Sequence, residues 1–82
     1  MKAHVYVTLK RTVLDAQGQT VADALRRMKY KGVEDVRQGK YFLLALSEAF
    51  ASEEEARAEV ERIAKEVLVN PVIEEFSFRL EA

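Results

Sequence analysis

The sequence predicts an α+β domain in which an antiparallel sheet carries two helices on one face. Segments with a two-residue apolar period, typical of strands, alternate with segments whose apolar residues recur at helical spacing. The single proline and the three glycines lie between these periodic segments. With 33% charged and 49% hydrophobic residues, the 82-residue chain is typical of a globular protein, so residues 1–82 are predicted to form one domain.

The first strand and the first helix are predicted from residues 3–10 and from the segment after Asp15. Alternate residues of the strand give it one fully apolar face: Ala3, Val5, Val7 and Leu9. Asp15 can cap a helix in which Gly18 comes early, and Gly32 is a natural residue to end it. The apolar stripe of this helix consists of Val21, Ala24, Leu25 and Met28.

A hairpin is predicted over residues 33–46. Residues 33–37 form its short first strand, Gln38-Gly39 its tight turn and residues 40–46 its returning strand. The sequence does not determine the pairing register of this hairpin, because Val33 and Val36 would point to opposite faces of the strand. The returning strand is apolar on both faces, which is unusual for a strand buried on one side only.

The second helix begins at a capping box, with Ser52 as N-cap and Glu55 at the third helical position. Its predicted buried stripe is Ala56, Val60, Ile63 and Val67. Asn70-Pro71 ends the helix, and residues 72–80 form the last strand. The order β-α-β-β-α-β predicts a ferredoxin-like two-layer sandwich, with both helix stripes and one sheet face in a single core.

The other sheet face is predicted to be an apolar patch without a helix to cover it. Tyr6, Tyr41, Leu43, Ala45 and Val36 are its candidate members. A patch of this kind is expected to pair with a second copy, giving a homodimer or a larger even-numbered oligomer. We therefore take Tyr6, Tyr41 and Leu43 as candidate partner-contact residues.

Charge is divided unevenly along the chain although the net charge is only −1. Residues 1–41 carry nine basic and four acidic side chains, whereas residues 42–82 carry four and ten. This division indicates complementarity within the fold or between subunits, and a basic patch for a phosphate or an acidic partner is the alternative. The near-neutral balance argues against nucleic-acid binding, and no segment predicts a membrane span or a signal peptide.

No catalytic, metal-binding or cofactor-binding constellation is visible in the sequence. The absence of cysteine excludes a thiol nucleophile and cysteine-based metal sites, and it fits a reducing cytoplasm. His4 is the single histidine and has no regularly spaced carboxylate partner. Two alternatives share this fold: an RNA-binding module, which would stack bases on Tyr6 and Tyr41, and a regulatory module that binds a small molecule.

Several strings, in order along nearly the whole chain, carry a resemblance to a known family: Val5-Tyr6-Val7-Thr8-Leu9-Lys10, Val13-Leu14-Asp15-Ala16-Gln17-Gly18, residues 32–42, Ser52-Glu53-Glu54-Glu55-Ala56 and Asn70-Pro71-Val72-Ile73-Glu74. The sequence resembles PurS, the small subunit of formylglycinamide ribonucleotide amidotransferase (phosphoribosylformylglycinamidine synthase).

The resemblance implies a non-catalytic accessory subunit of de novo purine biosynthesis. Such a subunit assembles with a glutaminase subunit and an ATP-dependent synthetase subunit and helps to form an ammonia path between them. It implies no cofactor and no catalytic residue on this chain. Asp15, Gln17 and Gly18 carry the resemblance at a helix N-terminus, where backbone N–H groups can meet a partner, so they are further candidate contact residues.

Overall fold

A computed structural model describes residues 1–47 and 50–82. Within these two ranges, three strands, two α-helices and one π-helical turn follow one another in the order β1 Lys2–Leu9, α1 Ala16–Arg27, β2 Gly39–Ala45, α2 Glu53–Ile63, the π-helical turn Ala64–Leu68 and β3 Glu74–Glu81.

The three strands form one antiparallel sheet in the order β2-β1-β3. Val5 of the central strand lies opposite Phe42 of β2 and Phe78 of β3. The antiparallel sheet and two helices confirm the predicted α+β, ferredoxin-like class. The side chains with the parity of Val5 point into the core, and those with the parity of Tyr6 form the opposite face, here called the open face.

The core lies between the sheet and α2. Val5 and Val7 of β1 and Val60 of α2 are the largest fully buried side chains. Half-buried apolar side chains from the two edge strands, from the residue after β2 and from the π-helical turn surround this centre: Phe42, Leu44, Leu46, Leu68, Phe76, Phe78 and Leu80. The long β1 can bury one face because its apolar residues alternate, as predicted.

Both predicted N-caps are present. The side chain of Asp15 accepts a hydrogen bond from the backbone N–H of Gly18, and that of Ser52 accepts one from Glu55. The Glu55 carboxylate reaches back to the N–H of Ala51, which completes a capping-box-like arrangement. These bonds satisfy backbone donors that have no partner inside the helices, so the helices begin where the sequence predicts.

The predicted hairpin over residues 33–46 is wrong. Residues 33–37 form no strand, and Gly39, predicted in the turn, is the first residue of β2, opposite Thr8. The polar groups of this segment bind elsewhere: the N–H of Gln38 donates to Asp15, and Arg37 donates to the carbonyl oxygens of Leu9 and Lys10. The segment is therefore fastened to the loop after β1 instead of pairing with β2.

The stripe of α1 does not join the core, contrary to prediction. No α1 side chain belongs to the described core cluster, and the helix buries only Gly18 and Ala22. Val21 and Met28 are exposed. The helix also ends earlier than predicted, at Arg27, and Lys29 is the first residue after it with a left-handed φ, of 65°.

The predicted buried stripe of α2 is confirmed at Ala56 and Val60 and is wrong at Val67. Ala64 is buried in place of Ile63, which is half-buried, and Val67 is 74% exposed. The change of phase coincides with the π-helical turn, where the N–H of Val69 donates to the carbonyl of Ala64, five residues earlier.

Candidate partner surfaces

The open face carries two stacked tyrosines. The rings of Tyr6 on β1 and Tyr41 on β2 lie opposite each other, with centroids 5.5 Å apart and an interplanar angle of 28°. Tyr41 and its neighbour Leu43 are 53% and 52% exposed. Sheet order and alternation thus bring the predicted contact residues Tyr6, Tyr41 and Leu43 together on one surface.

A polar network borders the tyrosines. His4 Nε2 lies 3.0 Å from a carboxylate oxygen of Glu81, and His4 Nδ1 lies 2.6 Å from the hydroxyl of Tyr41. Because a carboxylate only accepts, Nε2 is the donor, and in the neutral ring Nδ1 then accepts from the Tyr41 hydroxyl. The hydrogen bond from His4 lowers the pKa of the Glu81 carboxyl. Arg79 Nε donates to the Tyr6 hydroxyl at 3.3 Å.

This network ties the open face to both edge strands. His4 and Tyr6 belong to the central strand, Tyr41 belongs to β2, and Arg79 and Glu81 belong to β3. Sequence reasoning predicted the two tyrosines and left out the charged members. The signal for Arg79 and Glu81 was their shared parity on β3, which places both on the face of His4 and Tyr6 once the register is known.

A second candidate surface surrounds Asp15. Its buried carboxylate accepts from the N–H of Gly18 at 2.9 Å and from the N–H of Gln38 at 2.7 Å. These two N–H groups, with the charge of Arg37 as a smaller contribution, hold the pKa of Asp15 below its ordinary value. Asp15 therefore joins the start of α1 to a segment more than twenty residues later.

The structure separates the roles of the three residues predicted at this helix start. Asp15 and Gly18 are buried, and a side-chain carbon on Gly18 would overlap the carbonyl oxygen of Val36. Gln17 is exposed, and its side-chain oxygen accepts from Gln38 Nε2 at 2.8 Å. Asp15 and Gly18 shape the loop from inside, while Gln17 and Gln38 are the pair that a partner could reach.

Among residues 1–47 and 50–82, no group of three histidine, cysteine or acidic side chains could hold a metal ion. Over the same residues, no helix has the length and apolar character needed to cross a bilayer.

Comparison with known proteins identifies the family. Residues 2–82 match the family model described as PurS, phosphoribosylformylglycinamidine (FGAM) synthase. The PurS subunit of phosphoribosylformylglycinamidine synthase from Bacillus subtilis (strain 168) is 40% identical over 80 residues, which is 98% of this chain and 92% of that relative. The chain belongs to the PurS family. The resemblance seen in the sequence is therefore confirmed, and the RNA-binding and small-molecule alternatives are set aside.

Solved PurS structures share the fold. Methanocaldococcus jannaschii PurS, one of the subunits of formylglycinamide ribonucleotide amidotransferase in the purine biosynthetic pathway, superposes with a TM-score of 0.82 at 34% identity, covering 98% of this chain and 94% of that chain. A chain of PurLQS from Thermotoga maritima gives a TM-score of 0.84 at 33% identity, covering 95% and 93%. The PurS family fold therefore includes the three-stranded sheet and two helices seen here.

Proposed function

We propose that this PurS-family chain is a non-catalytic subunit that bridges the glutaminase and synthetase subunits of phosphoribosylformylglycinamidine synthase. The observation that carries the proposal is the family match over residues 2–82, together with the similarity to a chain of PurLQS. The exposed tyrosines and Leu43 support it, because they offer a partner an aromatic and aliphatic surface.

A bridging subunit has a clear physical purpose in such a complex. The glutaminase releases ammonia and the synthetase uses it, but free ammonia in neutral water becomes protonated and diffuses away. A protein-lined path keeps the ammonia neutral and delivers it to the activated substrate. A scaffold that holds the two enzymes together in the cytoplasm can provide such a path without chemistry of its own.

Self-association through the open face is part of the same proposal. A two-fold axis near Tyr41 and Leu43 would bury each copy of these side chains against the other. At about 25 cal/mol per Å² of apolar area, a few hundred Å² contributes several kcal/mol before the cost of association. The His4–Glu81 and Arg79–Tyr6 hydrogen bonds would satisfy part of the polar groups that such pairing buries.

Reconstitution of the complex with and without this chain tests the bridging function. With high external ammonium, the synthetase should form product at an unchanged rate when the chain is omitted. Glutamine-driven synthesis should collapse, because the glutaminase is no longer held beside the synthetase. Equal loss of the two rates would show that the chain supports the synthetase itself, and the bridging proposal would fail.

A pair of surface variants locates the docking site. Gln17→Ala removes the acceptor of the Gln38 side chain and should lower the glutamine-driven rate while the ammonium-driven rate stays constant. Gln19→Ala is the matched control, because Gln19 is an exposed glutamine on the same helix. Equal rates for the two variants would exclude Gln17 from the docking surface.

A further inference from the structure

His4 is the single histidine of the chain, and both nitrogens of its ring contact neighbouring strands. Its side chain is only 11% exposed. Nε2 lies 3.0 Å from the Glu81 carboxylate, and Nδ1 lies 2.6 Å from the Tyr41 hydroxyl. The Tyr41 ring stacks beside the imidazole, with centroids 5.8 Å apart and an interplanar angle of 19°. The imidazole is therefore held between two strands, and a change in its protonation acts directly on its neighbours.

The neutral and the protonated ring require opposite directions of the hydrogen bond between His4 and Tyr41. In the neutral ring, Nε2 donates to Glu81 and Nδ1 accepts the hydroxyl hydrogen of Tyr41. Both nitrogens of a protonated imidazole are donors, so Nδ1 must then donate to the Tyr41 oxygen. The hydroxyl hydrogen has to turn away from His4. Because Tyr41 is exposed, this hydrogen is then presented at the surface of the open face.

Protonation of His4 also changes the charge of the open face. Besides His4, the charged side chains with the parity of this face lie on β1 and β3: Lys2, Glu75, Arg79 and Glu81. β2 adds only uncharged residues, of which Tyr41 is titratable, as is Tyr6 of β1. The two cations and the two carboxylates balance while His4 is neutral, so protonation leaves one unbalanced positive charge. Arg79 lies directly opposite His4 in the register, which places this charge beside another cation.

The Glu81 carboxylate stays ionised over the pH range in which histidine titrates. The hydrogen bond from His4, and to a smaller extent its charge, lowers the pKa of the Glu81 carboxyl from its ordinary value. Histidine side chains change charge between about pH 5 and pH 8, which lies above the ordinary carboxyl range. Within the pair of His4 and Glu81, a change of charge over this range therefore belongs to His4.

We propose that His4 makes pairing through the open face depend on pH, so that the neutral ring permits pairing and the protonated ring opposes it. This inference rests on the proposed self-association and adds its regulation. In a two-fold pairing near Tyr41 and Leu43, each protonated copy would bring an unbalanced positive charge and an outward hydroxyl hydrogen to the contact. A desolvated charge and an unpartnered polar hydrogen both oppose association, and like charges across the contact repel each other.

Nitrogen NMR of the unmodified chain, produced with isotope-labelled histidine, tests the reversal of the hydrogen bond. One histidine gives one pair of ring signals, so the assignment is unambiguous. At about pH 8, Nε2 should carry a hydrogen and Nδ1 should carry none, whereas at about pH 5 both nitrogens should carry one. A ring with its hydrogen on Nδ1 at the higher pH, or a ring that is still neutral at the lower pH, would overturn the inference.

Sedimentation at the same two pH values measures the effect on pairing. The dissociation constant should rise at least about tenfold from the higher to the lower pH, because each of the two copies must lose a proton to pair. His4→Gln is the matched control, since its side chain is neutral at every pH and its amide can still donate to Glu81. The dissociation constant of this variant should change less than about threefold over the same range. His4→Asn, which keeps an acceptor for Tyr41, is a second neutral variant and replaces the first if that one does not fold.

The possible results separate the inference from the proposals beneath it. Equal pH dependence in the unmodified chain and in the neutral variants would assign the effect to other groups and overturn the inference, as would a dissociation constant that does not change with pH. If the unmodified chain is a monomer at both pH values, self-association fails and this inference fails with it. The bridging function is judged separately, by the comparison of glutamine-driven and ammonium-driven synthesis.

Discussion

Replacing Leu43 with lysine should weaken the self-association that we propose for the open face. Leu43 is 52% exposed, and complete burial of a leucine side chain is worth about 1.5–3 kcal/mol. Burial of the exposed half therefore contributes about 1 kcal/mol per copy, and about 2 kcal/mol across a two-fold axis. Loss of this amount weakens the dissociation constant about 30-fold, before the cost of burying two ammonium groups is added.

Sedimentation equilibrium at micromolar concentrations measures this change. We expect the Leu43→Lys variant to have the mass of the next smaller assembly, while its circular dichroism spectrum stays unchanged. Val72→Lys is the matched control, because Val72 is an exposed valine outside the sheet. If Leu43→Lys assembles with the same dissociation constant as the unmodified chain, the open face is not a contact between copies, and the reasoning from its exposed apolar area is refuted.

Three further predictions concern stability and chemistry. Val60→Ala should cost about 2 kcal/mol in urea unfolding, because Val60 is fully buried; Val67→Ala, at an exposed site nearby, should cost less than about 0.5 kcal/mol. The pKa of Asp15 is lowered by the N–H groups of Gly18 and Gln38, so its stabilisation is present above the ordinary carboxyl pKa and is lost as pH falls through the lower folded value. The melting-temperature difference between the unmodified chain and Asp15→Asn should therefore shrink below about pH 4, and a constant difference would contradict this assignment. The isolated chain should bind no stoichiometric zinc and hydrolyse neither glutamine nor ATP; activity that co-purifies through every step would contradict this.

The sequence predicted the elements whose pattern is local. Alternation along β1 identified the buried face, and Ser52 and Asp15 marked the helix starts, because a capping side chain needs only the next three residues. The same alternation places every second residue of a strand on the opposite face. Tyr6, Tyr41 and Leu43 could therefore be assigned to the open face from the sequence alone.

The errors arose where the decisive partners are distant in sequence. Residues 33–37 have strand character, but Gln38 donates to Asp15 and Arg37 donates to two carbonyl groups at the end of β1. The neighbouring residues in the sequence do not show that these hydrogen bonds compete with strand pairing in a hairpin. The stripe of α1 was assigned to the core because a periodic pattern shows that a helix has an apolar face, but not what that face packs against.

The π-helical turn Ala64–Leu68 has a consequence for where the fold can accept the insertion or deletion of a residue. A turn closed over five residues instead of four holds one residue more than an α-turn between the same ends. Ala64 at its start and Val69 directly after it are both buried, so packing fixes the two ends. A chain one residue shorter in this stretch can therefore reach the same core through an ordinary α-turn. The turn marks the place where one amino acid can be gained or lost while the register of β3 stays the same.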